Sequence, residues 1–131
     1  MFVDASALVA ILAKEADYPA LVARLETPGA KITSPLAVWE TAVAVARKRK
    51  IDPGDALVAV ERLLGILGVE VRAVAPETAA LAIAAFSHFG KGRHPAALNF
   101  GDCFAYACAR QYGMPLLYKG DDFAKTDIEP A

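Results

Sequence analysis

Short apolar runs alternate with longer helix-forming segments along the whole chain, and this alternation limits the fold more than any single residue does. Met1–Asp4 reads as a strand that continues into a helix over Ala5–Lys14, with Leu8 and Leu12 on one face. Tyr18–Glu26 is a second helix, closed by the Pro28-Gly29 breaker. Ile32–Thr33 marks a second strand. Ser34 then caps a helix with Pro35 at its first position, running to about Lys50. Asp52-Pro53 repeats that signal for a helix ending at Gly65 or Gly68. The β-branched, alternating stretch Val69–Val74 is the third strand. Pro76 opens a helix to about Phe89, Lys91–Phe100 is a polar loop, and Gly101–Tyr112 is helical. Leu116–Tyr118 is the fourth strand, with Thr126–Ile128 a candidate for a short fifth.

Strands separated by helices predict an α/β domain whose mainly parallel sheet, of four to five strands, is covered on both faces. In such folds the working site lies beyond the carboxyl ends of the strands. At 131 residues the chain suits one domain, spanning 1–131, and its 56% hydrophobic and 22% charged residues describe a folded globular protein.

The longest apolar stretches, Ala5–Ala13 and Ala42–Ala46, fall far short of the roughly 20 residues that span a bilayer. No basic segment precedes the first apolar run, as a secretion signal requires. A cytoplasmic protein that engages no membrane is therefore expected. Cys103 and Cys108 match no zinc-ligand spacing and read as reduced, buried thiols. The net charge of −1 weighs mildly against a protein that binds nucleic acid through phosphate contacts alone.

Three acids stand nearly alone in apolar surroundings. Asp4 ends the first strand, with Ser6 as its only polar company up to Ala13. Glu40 lies in the second turn of the helix capped by Ser34, and Asp102 opens the helix that follows Asn99. The three segments are apolar nearly all round and are expected to be buried. An ionised carboxylate buried alone is strongly unfavourable, so such groups are paired or hold a metal. A further acidic position, Asp121-Asp122, follows the last clear strand. If these acids converge, mutual repulsion raises their pKa values unless a cation sits among them, and carboxylate oxygens suit Mg²⁺ or Mn²⁺. An ion so held supports phosphodiester hydrolysis. Plainer readings stand beside this one. Asp4 and Asp102 could simply cap helices, and Glu40 could pair with a distant Arg72 or Arg110.

The same residues resemble those of the PIN-domain nucleases, and more closely the VapC-type toxins of toxin–antitoxin pairs. MFVDASALVAIL is similar to the family's first strand, ITSPLAVWETAVAV to the segment carrying its glutamate, LNFGDCFAYACA to its third acidic motif, and LLYKGDDFAKTDI to its closing strand. The resemblance implies a PIN-like three-layer α/β/α domain and a metal-dependent endoribonuclease acting on tRNA or ribosomal RNA. It implies catalytic and metal-binding roles for Asp4, Glu40 and Asp102, with Asp121 or Asp122 completing the pocket and Asp121 the favoured choice. Ser6 orients Asp4 or a bound water, and Asn99 supports the site. It also implies silencing by a VapB-type antitoxin, and a homodimer. The Ala20–Leu25 and Ala42–Ala46 helix faces are expected in one or both contacts.

For RNA, the basic run Arg47–Lys50 reads as a solvated helix end or a phosphate patch, with Arg47 as a candidate contact. Arg93 and Lys119, near the acidic motifs in sequence, are the others. His94 is left outside the catalytic set. Two rival functions remain: a non-catalytic scaffold that binds RNA or a partner, and a haloacid-dehalogenase-like phosphatase. The latter uses an Asp-x-Asp pair, whereas Ser6 holds the second position here.

Overall fold

Alternation along two-residue strands sorts the core into two layers. A computed structural model describes residues 1–131. Its strands are β1 (Phe2–Val3), β2 (Ile32–Thr33), β3 (Glu70–Val71) and β4 (Leu116–Leu117), all parallel in the order β3-β2-β1-β4. Successive residues of a strand face opposite sides. Phe2, Ile32 and Leu116 therefore pack with α5 (Thr78–Phe89) and α6 (Phe100–Gln111). Val3 and Leu117 face the other way, into a core built with α1 (Ala5–Leu12), α2 (Tyr18–Leu25), α3 (Pro35–Arg49) and α4 (Pro53–Leu67). No helix is long and apolar enough to cross a membrane.

Local chemistry sets the helix ends. Ser34 Oγ accepts the Ala37 N–H at 3.2 Å to start α3, and Asp52 Oδ1 accepts the Gly54 N–H at 2.7 Å to start α4. Gly68, with φ 65°, ends α4 in the left-handed conformation that glycine adopts without steric cost. Between β1 and β2, the buried Thr33 hydroxyl donates to the Val3 carbonyl at 2.7 Å.

The strand order decides where a site can form. From β1 the chain steps outward to β2 and β3, then returns to place β4 on the other side of β1. The β1/β4 boundary is thus a switch point, where the connections diverge and leave a crevice at the carboxyl edge. Asp4 lies there, its N–H donating to the Leu117 carbonyl at 2.9 Å.

Four expectations need correction. The third strand is Glu70–Val71 rather than Val69–Val74, because it is an exposed edge with one neighbour and the chain leaves it ahead of Pro76. No fifth strand forms over Thr126–Ile128. Thr126 Oγ1 accepts the Ile128 N–H at 3.2 Å in a local turn, and Pro130, which makes an isolated bridge to Leu116, has no N–H to extend a ladder. The Ala42–Ala46 stretch is only partly open: Ala42, Val45 and Ala46 pack into the core of their own chain while Val43 and Ala44 are half-buried, and on α2 Leu21 and Leu25 are buried while Ala20 is exposed. Finally, the segments around Glu40 and Asp102 are not buried all round: Trp39 is 67% exposed and Phe100 69%. Both cysteines are buried and unpaired, and burial pushes the Cys108 thiol up to about 11.

Candidate active site

Asp4 is the driest of the acids, at 3% exposure. Burial raises its pKa, and hydrogen bonds from Ser6 only partly offset that effect. The Ser6 hydroxyl donates to Asp4 Oδ2 at 2.5 Å, and the Ser6 N–H donates to the same oxygen at 2.9 Å. Oδ2 therefore caps α1, while Oδ1 lies outside both bonds. The Ser6 hydroxyl also accepts the Lys119 N–H at 2.9 Å, tying the end of β4 to the start of α1.

Asp102 divides its oxygens in the same way. Its Oδ2 accepts the Asn99 N–H at 2.9 Å, and Asn99 Oδ1 accepts the Asp102 N–H at 3.0 Å, a reciprocal capping box at the start of α6. The capping roles considered for Asp4 and Asp102 are thus real, and each occupies one carboxylate oxygen. The second oxygen is available for other chemistry.

Glu40 makes no hydrogen bond or ion pair. Its carboxylate rests against Gly101 in a half-buried position on the facing helix. Burial pushes its pKa up to about 7, with further contributions from the charges of Asp4 and Asp102. Burial likewise raises Asp102 to about 6, reinforced by Asp4 and Asp122. Acids from separate parts of the chain therefore come within electrostatic reach: Asp4 and Asp102 act on Glu40, and Asp4 and Asp122 on Asp102.

Asp121 is not among the charges acting on the others, although it was the favoured choice from sequence. The expected dry pocket is also corrected. Asp4 alone is buried, Glu40 and Asp102 are half-exposed, and Asp121 and Asp122 lie in solvent on the turn after β4. The reason is the shallow rim of two-residue strands, which leaves no depth to enclose four side chains.

No cation of the chain answers this charge. None of its ion pairs reaches Asp4, Glu40 or Asp102. Lys119, expected to hold RNA, instead has its ammonium between Glu15 and Asp17, 2.8 Å from Asp17 Oδ1. In the basic run, Lys48 pairs with Glu15 at 2.5 Å and the Arg49 guanidinium donates to the Leu12 carbonyl; Arg47 stays exposed and unpaired. Arg93 stacks over the Phe86 ring at 5.5 Å, and His94 Nδ1 accepts the Ala96 N–H at 3.1 Å.

The donor set fits a hard divalent cation. It is all oxygen, it lacks a counter-charge, and its pKa values are raised chiefly by burial and further by neighbouring like charges. As the side chains stand, no three of His, Cys, Asp or Glu form a ready ligand set for one ion. Mg²⁺ does not need one, because it keeps several waters and takes only one or two carboxylates directly.

Sequence reasoning missed three residues at this rim. Gly101 gives the Glu40 carboxylate its seat, and Trp39 and Phe100 border the same space as exposed rings. Each adjoins a candidate acid or its seat in sequence, which was the only available signal; their apolar character made them read as core.

A family model for the PIN domain matches residues 1–129. Ribonuclease VapC42 of Mycobacterium tuberculosis is 41% identical over 133 residues, covering 100% of this chain and 98% of its own. A VapC ribonuclease of Rhizobium meliloti is 38% identical over 139 residues, covering 97% and 98% respectively. Among solved structures, the crystal structure of Mycobacterium tuberculosis VapC20, described as a sarcin–ricin loop cleaving toxin, matches with a TM-score of 0.76. The match covers 99% of this chain and 97% of that one at 22% sequence identity, and it establishes the shared fold.

Proposed function

This chain belongs to the PIN-domain family, and on that premise we propose that it is the endoribonuclease toxin of a VapC-type toxin–antitoxin pair. Residues 1–131 act as one PIN domain, and Asp4, Glu40 and Asp102 hydrolyse RNA phosphodiester bonds with Asp122 at the open side. One observation carries this reading: Asp4 at the sheet's switch point, Glu40 seated against Gly101, and Asp102 beside that glycine meet from distant parts of the chain, and no ion pair reaches any of them.

The residues present suit Mg²⁺ or Mn²⁺, held by the free oxygens of Asp4 and Asp102 and by Glu40, directly or through water. When bound, such an ion supplies the positive charge that activates water and offsets charge on the phosphate. The rest falls to the chain. Ser6 fixes the Asp4 carboxylate through two donors to one oxygen. The Asn99–Asp102 capping box fixes the other wall. Without a cation, the same carboxylates repel the RNA backbone, so the site binds substrate only when charged for it. The substrate is tRNA or ribosomal RNA. A VapB-type antitoxin silences the enzyme, and the working form is a homodimer; the VapC names of the relatives support the toxin role on which both rest.

The test compares purified wild type with Asp4→Asn on a folded tRNA and on ribosomal RNA, with Mg²⁺, with Mn²⁺ and with EDTA. Cleavage by wild type that requires the ion and is lost in the variant is the expected result. Equal cleavage by both proteins overturns the proposal.

A further inference from the structure

A small pocket adjoins the Glu40 carboxylate. It holds about 250 Å³ and is lined by Leu36, Trp39, Glu40, Asn99, Phe100 and Gly101. Two features set it apart. Its rim carries the chain's only tryptophan and a phenylalanine, both about two-thirds exposed, although burial of either ring would be favourable. It also shares Glu40 and Gly101 with the candidate active site, so whatever enters it sits beside the Glu40 carboxylate.

We propose that Trp39 and Phe100 form a stacking subsite for one unpaired nucleobase of the RNA substrate, next to the bond that is cut. The proposal rests on the nuclease reading above and adds to it the single-stranded character of the substrate at the cleavage point. Three observations favour a base as the occupant. First, the pocket is smaller than the roughly 300–1,000 Å³ typical of drug-sized ligands, and its volume suits a single flat ring system.

Second, three of the cations that could hold phosphate are already engaged. Lys119 is held by Glu15 and Asp17, Lys48 by Glu15, and Arg49 by the Leu12 carbonyl. In a chain of net charge −1, the exposed cations that remain, such as Arg47, then leave a share of the affinity for RNA to other contacts. Stacking on aromatic side chains is the sequence-tolerant source that single-stranded RNA offers and a stacked duplex does not. Third, Asn99 brings a fixed donor. Its Oδ1 is committed to the Asp102 N–H, which leaves the Nδ2 amide as the group it offers to an acceptor on a base edge. Trp39 also borders a larger apolar groove between α3 and α4, and Phe100 another between α5 and α6. Of these three spaces, the small one is shared with Glu40.

Because Trp39 is the only tryptophan, its fluorescence reports on this ring alone. Asp4→Asn protein in Mg²⁺ is titrated with short oligouridylate, short oligoadenylate, an abasic ribose-phosphate strand of equal length, and a blunt RNA duplex. Quenching by the two single strands, with little from the abasic strand or the duplex, is expected. In the otherwise wild-type enzyme, Trp39→Ala and Phe100→Ala each raise KM on single-stranded RNA about 5- to 150-fold, the equivalent of roughly 1–3 kcal/mol per stacked base, with kcat little changed. Trp39→Phe recovers most of the loss. Both rings are exposed, so neither truncation leaves a cavity, and circular dichroism checks the fold. Unchanged KM in both alanine variants, while Asp4→Asn still abolishes cleavage, overturns the subsite and leaves the nuclease intact. Fluorescence that responds to protein concentration without RNA, or to a co-expressed antitoxin but not to RNA, also overturns it, because the rings then belong to a protein interface. Absence of cleavage by wild type and Asp4→Asn alike is failure of the nuclease reading itself.

Discussion

The Glu40 carboxylate lies on the Cα of Gly101, so close that a β-carbon at position 101 would stand 2.3 Å from Oε2. Gly101 is in the first turn of α6, directly before Asp102, and this contact sets the spacing between the acids of α3 and α6. It also separates stability from activity. Alanine is favoured over glycine inside a helix by roughly 0.5–1 kcal/mol, and only the flexible end of Glu40 must move to admit the methyl group. Gly101→Ala is therefore expected to melt at the same temperature as wild type or slightly higher. Its cleavage rate is expected to fall by up to about 10²-fold, the scale for displacing a catalytic group by about 1 Å. A variant that melts higher and cleaves at the wild-type rate would show that the Glu40 position is not critical.

Proton linkage predicts how the metal-free protein responds to pH. Glu40 is raised from 4.5 to about 7 and Asp102 from 3.8 to about 6, chiefly by burial. Between about pH 4 and pH 7 the folded chain therefore binds more protons than the unfolded one, and its stability falls as pH rises through that window. Glu15, Asp17 and Asp127 have lowered values and act in the opposite sense, but below their ordinary range near pH 4. In EDTA, the melting temperature should drop from pH 5 to pH 7.5, and Glu40→Gln should flatten that drop. Added Mg²⁺ should raise the melting temperature more at pH 7.5 than at pH 5, since protons compete for the same oxygens. A metal-free melting temperature that climbs over this interval would contradict the linkage.

The two neighbouring aspartates on the last turn should differ. Asp122 is the one whose charge acts on Asp102. Asp122→Asn is expected to weaken Mn²⁺ binding in calorimetry and slow cleavage, whereas Asp121→Asn should change either by less than about threefold, or roughly 0.7 kcal/mol. The reverse order would restore the choice of Asp121.

Lys119 should behave as a structural ion pair rather than a phosphate contact. A lysine that neutralises one phosphate contributes about 0.7–0.9 to the slope of log affinity against log salt. Because Glu15 and Asp17 already occupy the Lys119 ammonium, Lys119→Met should leave that slope unchanged. The backbone N–H of Lys119, which donates to the Ser6 hydroxyl that in turn holds Asp4, is retained in this variant, so kcat should change little. Arg47, exposed and unpaired, is the comparison: its removal should lower the slope if it touches RNA. A slope reduced by about one unit in Lys119→Met would reinstate it as an RNA contact.

Much of this arrangement was legible along the chain because it rests on local chemistry. Ser34 before Pro35 and Asp52 before Pro53 are helix starts that a few consecutive residues define, and the structure forms both caps. The placement of Asp4 after a strand, and of Glu40 and Asp102 in early helical turns, follows from the same local rules, and a parallel sheet brings such positions to one edge. What local pattern could not supply was the neighbour at a distance. The pairing of Lys119 with Glu15, 104 residues away, removes a cation that seemed available. The coupling of Asp122 rather than Asp121 to Asp102 depends on how one turn faces another helix.

The apolar character of Trp39 and Phe100 says that each ring avoids water, but only packing decides what covers it, and this chain leaves about two-thirds of each exposed. Hydrogen bonds to the next turn depend on local sequence. Burial, charge coupling and exposure depend on which surfaces meet, and the tertiary structure alone decides that.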